Sequence, residues 1–281
     1  MRYAVAIPAF NAAATLSRVL EAVRGFHWNP SDVVVVDDCS DDATPVIARD
    51  AGARVVRHTG RLGLAGARNT ALAEIADPFV LWLDADFVPE PQVPEVLWDG
   101  FDGDDVAAVG GRAREIVRTR ADLWRKVHAP QCHGARHLRS VWMVMGLCAM
   151  HRVEALRGVG GFDERFRSCA EDVEMSLRLR KCGYRLAYRP KAAGDHWRQD
   201  DEIGLVSRMQ EYMRMTSLAF MVHGKRPRRR FLPILLKQLI THPVVDITSR
   251  RWSLVPLDFR IWRARFRALR SADLSCLDLQ P

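Results

Sequence analysis

Short apolar runs alternate with segments of helical period from the beginning of the chain: AVAI, TLSRVLEAV, DVVVVD, TPVIARDA, ARVVRH, AGARNTALAEIA and FVLWLDAD. The order predicts β-α-β-α-β-α-β. Val33 to Val36 are apolar at every position, a pattern that burial of one face, with its period of two, does not produce but cover by helices on both faces does. A doubly wound, mostly parallel α/β sheet flanked by helices follows. Ligands of such sheets bind outside the carboxyl ends of the strands, so the residues just after each run are the ones to read for chemistry.

Those residues are Pro8-Ala9-Phe10-Asn11 after the first run, Asp37-Asp38-Cys39-Ser40-Asp41-Asp42 after the second and Asp84-Ala85-Asp86 after the fourth. A dinucleotide fold would place GxGxxG after its first strand; that glycine run is missing, as are GxSxG and GxxxxGK[ST]. Asp84 and Asp86 flank one alanine, and residues two apart in an extended segment point to the same side. Like charges so close call for a cation. A hard, oxygen-ligated Mg²⁺ or Mn²⁺ with open positions for phosphate oxygens suits them. An isolated DxD is also a common solvated turn, so the pair takes its meaning from its surroundings.

Seven segments in order, IPAFN, VVVDDCSDD, RLGLAGARN, LWLDADFVPEP, GVGGFDERF, AEDVEMSLRLRKCGY and DHW, resemble the family 2 glycosyltransferases over roughly residues 3 to 200. The resemblance implies a GT-A fold, a nucleoside-diphosphate sugar donor with UDP favoured over GDP, a divalent cation, and inversion at the anomeric carbon by direct displacement. Matched residue by residue, it places Pro8, Ala9 and Phe10 along the base pocket, with Phe10 where tyrosine is common, and makes Asp38 an acceptor for the base. Asp84 and Ala85 approach the ribose in this match, and Asp86 holds the metal. Arg61 and Arg68 border a glycine-containing turn at a helix start, where free N–H groups favour anions; they are phosphate contacts, or Arg68 is a helix-face residue paired with an acid.

Inverting transfer needs a base for the acceptor hydroxyl, and Glu171-Asp172 opens a helix, where the ionised carboxylate is favoured. The family match assigns the base to Asp172 and leaves Glu171 to structure or acceptor; the alternative is that both are ordinary N-terminal helix charges. Gly161 and Phe162 shape the acceptor side by the same match, with Gly160 and Gly161 permitting a tight approach and Phe162 anchoring the loop. His196 stands where relatives place a second metal ligand, or is a plain loop histidine, and Trp197 offers a stacking face for a sugar. Trp82 and Trp142 lie in apolar runs and are expected in the core.

Charge changes the picture only toward the end of the chain. The net charge is +8 over 281 residues, yet residues 205 to 281 hold 15 Lys/Arg against 5 Asp/Glu, a balance of +10, and the rest holds 27 against 29. This suggests a catalytic domain over residues 1 to 204 and a basic helical extension over 205 to 281. EIGLVSRMQEYMRMTSLAFMVHG reads as an amphipathic helix, followed by KRPRRR and FLPILLKQLI, and no stretch reaches the roughly 20 apolar residues that span a bilayer. The extension either packs as a helical appendage or lies on an anionic membrane surface. A nucleotidyltransferase and a nucleic-acid-binding protein were the competing classes; the first lacks its glycine-rich loop, the second any recognised module. A glycan, lipid-linked or small-molecule acceptor and a cytoplasmic location, peripheral at the inner membrane face, complete the expectation, with no nucleic acid. The six cysteines (39, 132, 148, 169, 182 and 276) form no CxxC pair and read as free thiols. His128, Cys132, His133 and His137 crowd in HAPQCHGARH, more as a polar loop or acceptor wall than as a zinc site.

Overall fold

A computed structural model describes residues 2–275; Cys276 lies outside the described residues. In chain order the elements are β1 (Tyr3–Ala9), α1 (Leu16–Arg24), β2 (Asp32–Asp37), α2 (Thr44–Asp50), β3 (Arg54–Arg57), α3 (Gly63–Glu74), β4 (Phe79–Leu83), β5 (Phe87–Pro89), α4 (Val93–Trp98) and β6 (Val106–Glu115). They continue with α5 (Arg120–His128), β7 (Cys148–Arg152), α6 (Val153–Gly158), α7 (Glu171–Lys181), β8 (Arg185–His196), α8 (Glu202–Val222), α9 (Pro227–Thr248) and α10 (Val255–Ser271).

The eight strands form one sheet in the order β3-β2-β1-β4-β7-β6-β8-β5. Both faces are covered, as the apolar runs require. Along β1, Tyr3, Val5 and Ile7 enter one core, whereas Ala4 and Ala6 enter the other; β4 divides likewise, Leu81 and Leu83 against Val80 and Trp82. Val34, Val35 and Val36 are fully buried, worth about 1.5–3 kcal/mol each by transfer of side chains of this size. Strands β1 to β4 pair in parallel. Beyond β4 the direction reverses: β4–β7, β6–β7 and β5–β8 are antiparallel, so the sheet is mixed rather than parallel throughout.

The chain divides into two compact units, one of Met1–Arg114 with Gln131–Arg198 and one of Glu115–Pro130 with Gln199–Pro281. The division differs from a single boundary at residue 204, because α5 belongs to the helical unit. Its Ala121 and Trp124 pack with Leu205, Leu257 and Ile261. Arg125, 2% exposed, is held there by Glu115 at 2.8 Å, Asp122 at 2.7 Å and Asp200 at 2.5 Å. A buried guanidinium needs such partners, and the Glu115 and Asp200 carboxylates lie at the edges of the two stretches that make the unit.

Candidate active site

The ends of β1 and β2 are tied together by their own polar groups. Pro8 pairs with Val36 and Ala9 with Asp37 across the strands. Past them Asn11 takes a positive φ of 48°; its N–H donates to Ser40 Oγ at 2.9 Å and its Oδ1 accepts the Asp41 N–H at 2.9 Å. Asp42 accepts the N–H groups of Ala13 and Thr44. The acidic run after β2 is thus largely loop construction. Phe10 stands at the surface, 36% exposed, with the Arg61 guanidinium 3.7 Å from its ring centroid.

Asp38 is buried and committed on both oxygens. Oδ1 meets His58 Nδ1 at 2.8 Å and accepts the Leu62 N–H at 2.8 Å; Oδ2 accepts the Gly63 N–H at 2.8 Å. Burial alone would raise its pKa, but the hydrogen bonds from His58, Leu62 and Gly63 hold it below the ordinary carboxylate value. The expected base acceptor is therefore also the group that caps the start of α3 from a neighbouring strand. Gly63 has φ 85°, and a Cβ there would stand 2.6 Å from Arg167 Cβ, so the turn needs glycine.

Asp84 and Asp86 sit between β4 and β5. The Asp84 N–H donates to Leu147 O at 3.1 Å, and Trp197 donates to Asp86 O at 2.7 Å. Phe87 pairs with His196 across β5–β8, which brings the LWLDAD and DHW segments together. Nε2 of His196, itself 1% exposed, lies 3.5 Å from Oδ1 of Asp86. Burial pushes Asp84 up, opposed by Arg68 and reinforced by the Asp86 charge; for Asp86 burial also raises, but the hydrogen bond and charge of His196 and the charge of Arg198 bring it below normal. Two ligands of one octahedral cation stand about 3 Å apart at oxygen-ligand bond lengths near 2.1 Å. The Asp86–His196 spacing fits a divalent cation with a small closure, and an imidazole with carboxylates is a donor set that Mn²⁺ accepts.

Arg68 is paired with acids, the second of the two readings left open for it. It is 2% exposed, with Nη1 3.0 Å from Glu171 Oε1 and Nη2 3.3 Å from Asp84 Oδ1, and its guanidinium faces the Trp82 and Phe162 rings. Glu171 is likewise withdrawn from any acceptor: its side chain is 3% exposed, and burial pushes its pKa up against the pull of Arg68. The pair forms a buried strut beneath the site. Gly146 makes room for it, since a Cβ there would lie 2.1 Å from Arg68 Nη1.

Asp172 is half-buried and held by backbone N–H groups. The Gly146 N–H donates to its Oδ2 at 2.9 Å and the Val173 N–H to its Oδ1 at 2.7 Å, in the first turn of α7 after Ala170 at φ 66°. The next residue after Gly146, Leu147, holds Asp84, so one short segment connects the base candidate to the DxD. Gly161 has φ 73° and lies against Asn69; Asn69 accepts the Phe162 N–H at 2.7 Å and donates to its carbonyl at 2.9 Å. Phe162 is buried edge-on against Trp82. Trp197 is half-buried, with Arg18 4.3 Å from its ring centroid, and Ala85 is half-buried beside the core of β1 and β4.

One minor expectation is corrected. Trp142 is 36% exposed, unlike the buried Trp82. His128, Cys132, His133 and His137 do not form a metal cluster among the described residues: His133 Nε2 is 2.9 Å from Met143 O, and His128 groups instead with His242 and Asp258. The residues that sequence reasoning missed are His58, which bridges Asp38 and Thr70 Oγ1, Asn69, and Gly146. Only Asn69 lies within a motif. Their partners are distant in the chain, so only RLGLAGARN, already singled out, pointed near them.

Residues 4–159 match the family described as Glycosyl transferase family 2. A Pre-mycofactocin glycosyltransferase of Mycobacterium tuberculosis is 34% identical over 204 residues, covering 68% of this chain and 42% of the relative, so the chain spans less than half of that protein. Among solved structures, a mannosyltransferase from Pyrobaculum calidifontis in complex with GDP-Man and Mn²⁺ superposes with a TM-score of 0.65 at 21% identity, over 99% of this chain and 78% of that one. S. aureus TarS 1–349 in complex with UDP-GlcNAc gives 0.60 at 16% identity, over 98% and 91%. With more than half of its length matched to the family and its sheet in the GT-A arrangement, the chain belongs to glycosyl transferase family 2.

Proposed function

We propose that the chain is an inverting glycosyltransferase that moves a sugar from a nucleoside-diphosphate donor, UDP favoured over GDP, to an acceptor hydroxyl of a glycan, a lipid-linked glycan or a small molecule. The observation that carries this reading is the short connection Asp172–Gly146–Leu147–Asp84, which sets a carboxylate beside the acidic strand end. Solved relatives in the same fold hold GDP-Man with Mn²⁺ and UDP-GlcNAc, which supports a nucleotide-sugar donor and leaves the base open. In this reading Pro8, Ala9 and Phe10 flank the base, with Asp38 at its polar edge and Arg61 near the phosphates. Asp84 and Ala85 face the ribose, and Asp86 with His196 holds Mn²⁺ or Mg²⁺. The cation supplies charge neutralisation at the diphosphate leaving group. Asp172 takes the acceptor proton as the hydroxyl oxygen attacks the anomeric carbon opposite that leaving group; the Gly146 and Val173 N–H groups orient the carboxylate. Gly161, Phe162 and Trp197 border the acceptor side, with Glu171 acting from beneath through Arg68.

Release of nucleoside diphosphate from a panel of UDP- and GDP-sugars tests this directly. Asp172→Asn should lower kcat by roughly 10²- to 10⁴-fold, the usual worth of a general base, while donor affinity is kept. Equal rates for Asp172→Asn and the wild type would remove Asp172 from the chemistry.

A second reading concerns the helical unit. Among the described residues no helix is long and apolar enough to cross a membrane. Along α9, however, Leu232, Leu236, Ile240, Val244 and Ile247 recur at one-turn spacing and are all exposed, Ile240 by 67%. Arg228, Arg229 and Arg230 precede this stripe, and Trp252 follows it, 62% exposed. Apolar stripe, cationic flank and interfacial aromatic together suit an anionic bilayer surface. The protein should sediment with vesicles containing anionic lipid and not with neutral ones, and Ile240→Asp should release it; the absence of binding to either vesicle ends this reading.

A further inference from the structure

In the helical unit, α5, α9 and α10 bring the metal-binding atoms of three side chains together, with a fourth carboxylate against one of them. His128 ends α5, His242 and Asp246 lie one turn apart on α9, and Asp258 lies in the first turn of α10. Ligand atoms of His128, His242 and Asp258 are all within 4.8 Å of one another. Nε2 of His128 is 2.8 Å from Asp246 Oδ2 and 3.6 Å from Asp258 Oδ1, and Nδ1 of His242 is 4.0 Å from that same Asp258 oxygen. The side chains of His128, Asp246 and Asp258 are no more than 3% exposed, and His242 is 15% exposed.

We infer that this cluster is a structural site for a borderline dication of the zinc class, with His128, His242, Asp246 and Asp258 as its ligands. Two imidazoles and two carboxylates match the nitrogen and oxygen donors of a four-coordinate zinc site, whose ligand atoms stand about 3.3 Å apart for bonds near 2.0 Å; His128, His242 and Asp258, with ligand atoms within 4.8 Å of one another, and Asp246, 2.8 Å from His128, would close to this by side-chain rotation. Each carboxylate is already oriented from outside. The Trp124 Nε1–H donates to Asp258 Oδ1 at 2.8 Å, and the Arg251 Nε–H donates to Asp246 Oδ1 at 2.9 Å. Such outer donors fix ligand carboxylates. The remaining Asp258 oxygen, Oδ2, is buried without a hydrogen-bond partner, an expensive arrangement for a carboxylate unless something binds it.

The histidines fit as well. Their rings stack at 4.1 Å with 25° between planes, and two imidazolium ions would repel there. Nδ1 of His242 faces the Asp258 carboxylate at 4.0 Å, where a dication would lie between them. On binding, the metal would take the place of hydrogen at His128 Nε2; from a neutral ring that proton moves to Nδ1 of the same imidazole, and from an imidazolium it leaves to solvent. The ion would pin three helices of one unit, a stabilising staple independent of glycosyl transfer.

The test uses the full chain, dialysed against chelator and refilled with Zn²⁺ or Co²⁺ without nucleotide. Wild type and Asp86→Ala should each retain a single equivalent of zinc and melt at a higher temperature with it; His242→Ala should retain none. Arg251→Ala, at the surface, should fold normally and bind roughly 10- to 100-fold more weakly, as loss of an outer-shell donor does. If His242→Ala does not fold, the Co²⁺ absorption spectrum of the wild type decides, by the intensity expected of a tetrahedral nitrogen and oxygen site. Failure of the wild type to retain either metal, or unchanged zinc in folded His242→Ala, overturns the inference. Loss of zinc in Asp86→Ala would also overturn it, by placing the ion at the other site.

Discussion

The side chain on which most of the site depends is Arg68, because it is the buried cation shared by Glu171 and Asp84. Replacing it leaves two carboxylates in a poorly solvated place, and breaking a buried pair from one side costs about 3–5 kcal/mol. Arg68→Met should therefore lose stability of that order in urea unfolding, and adding Glu171→Gln should return part of it. A loss below 1 kcal/mol for Arg68→Met, the range of exposed pairs, would show that the strut is not needed. The sequence left Arg68 open between phosphate and acid, and the reason is physical. An arginine on a helix reads the same whether its guanidinium turns outward or inward, and what turns it inward here is Gly146, 78 positions away in the chain, leaving space at Nη1. Glu171 and Asp172 show the same limit: adjacent carboxylates at one helix start, one buried on Arg68 and the other half-buried on the Gly146 N–H.

Among the elements, β1 to β4 and α1 to α3 were legible, since runs such as Val33 to Val36 can only be buried on both sides. The antiparallel half was not. β8 (Arg185–His196) carries Arg185, Arg189, Lys191 and Asp195 among its apolar residues and shows no continuous run, and β5 has three residues. Yet the β5–β8 pairing is what sets His196 against Asp86. Gly194 permits it: a Cβ there would lie 2.4 Å from Val88 O and 2.5 Å from the Phe87 ring, and backbone cannot give way as a flexible side chain can. Gly194→Ala should cost about 1–3 kcal/mol, as overpacking does, and should weaken metal-dependent nucleotide binding more than metal-free binding. An unchanged melting temperature and unchanged metal dependence would show that the pairing does not position the histidine.

In the molecule as a whole, a family 2 sheet is joined in one chain to a helical unit that takes α5 from the middle of the sequence. The family was legible because its motifs lie at strand ends, where ligand chemistry restricts residue type. The recruitment of α5 was not, because the pairing of Arg125 with Asp200 and the cluster of His128 depend on residues 75 or more positions away. The reading of a metal-dependent nucleotide-sugar enzyme stands on Asp86. Calorimetric titration of UDP and GDP into the protein, with and without Mn²⁺, on the wild type and on Asp86→Ala, examines it without knowledge of sugar or acceptor. Binding of one diphosphate that is strengthened by Mn²⁺ in the wild type, and no longer strengthened in Asp86→Ala, is the expected result. Binding that ignores the metal, or is equally metal-dependent in Asp86→Ala, would contradict the assignment of Asp86 as the ligand.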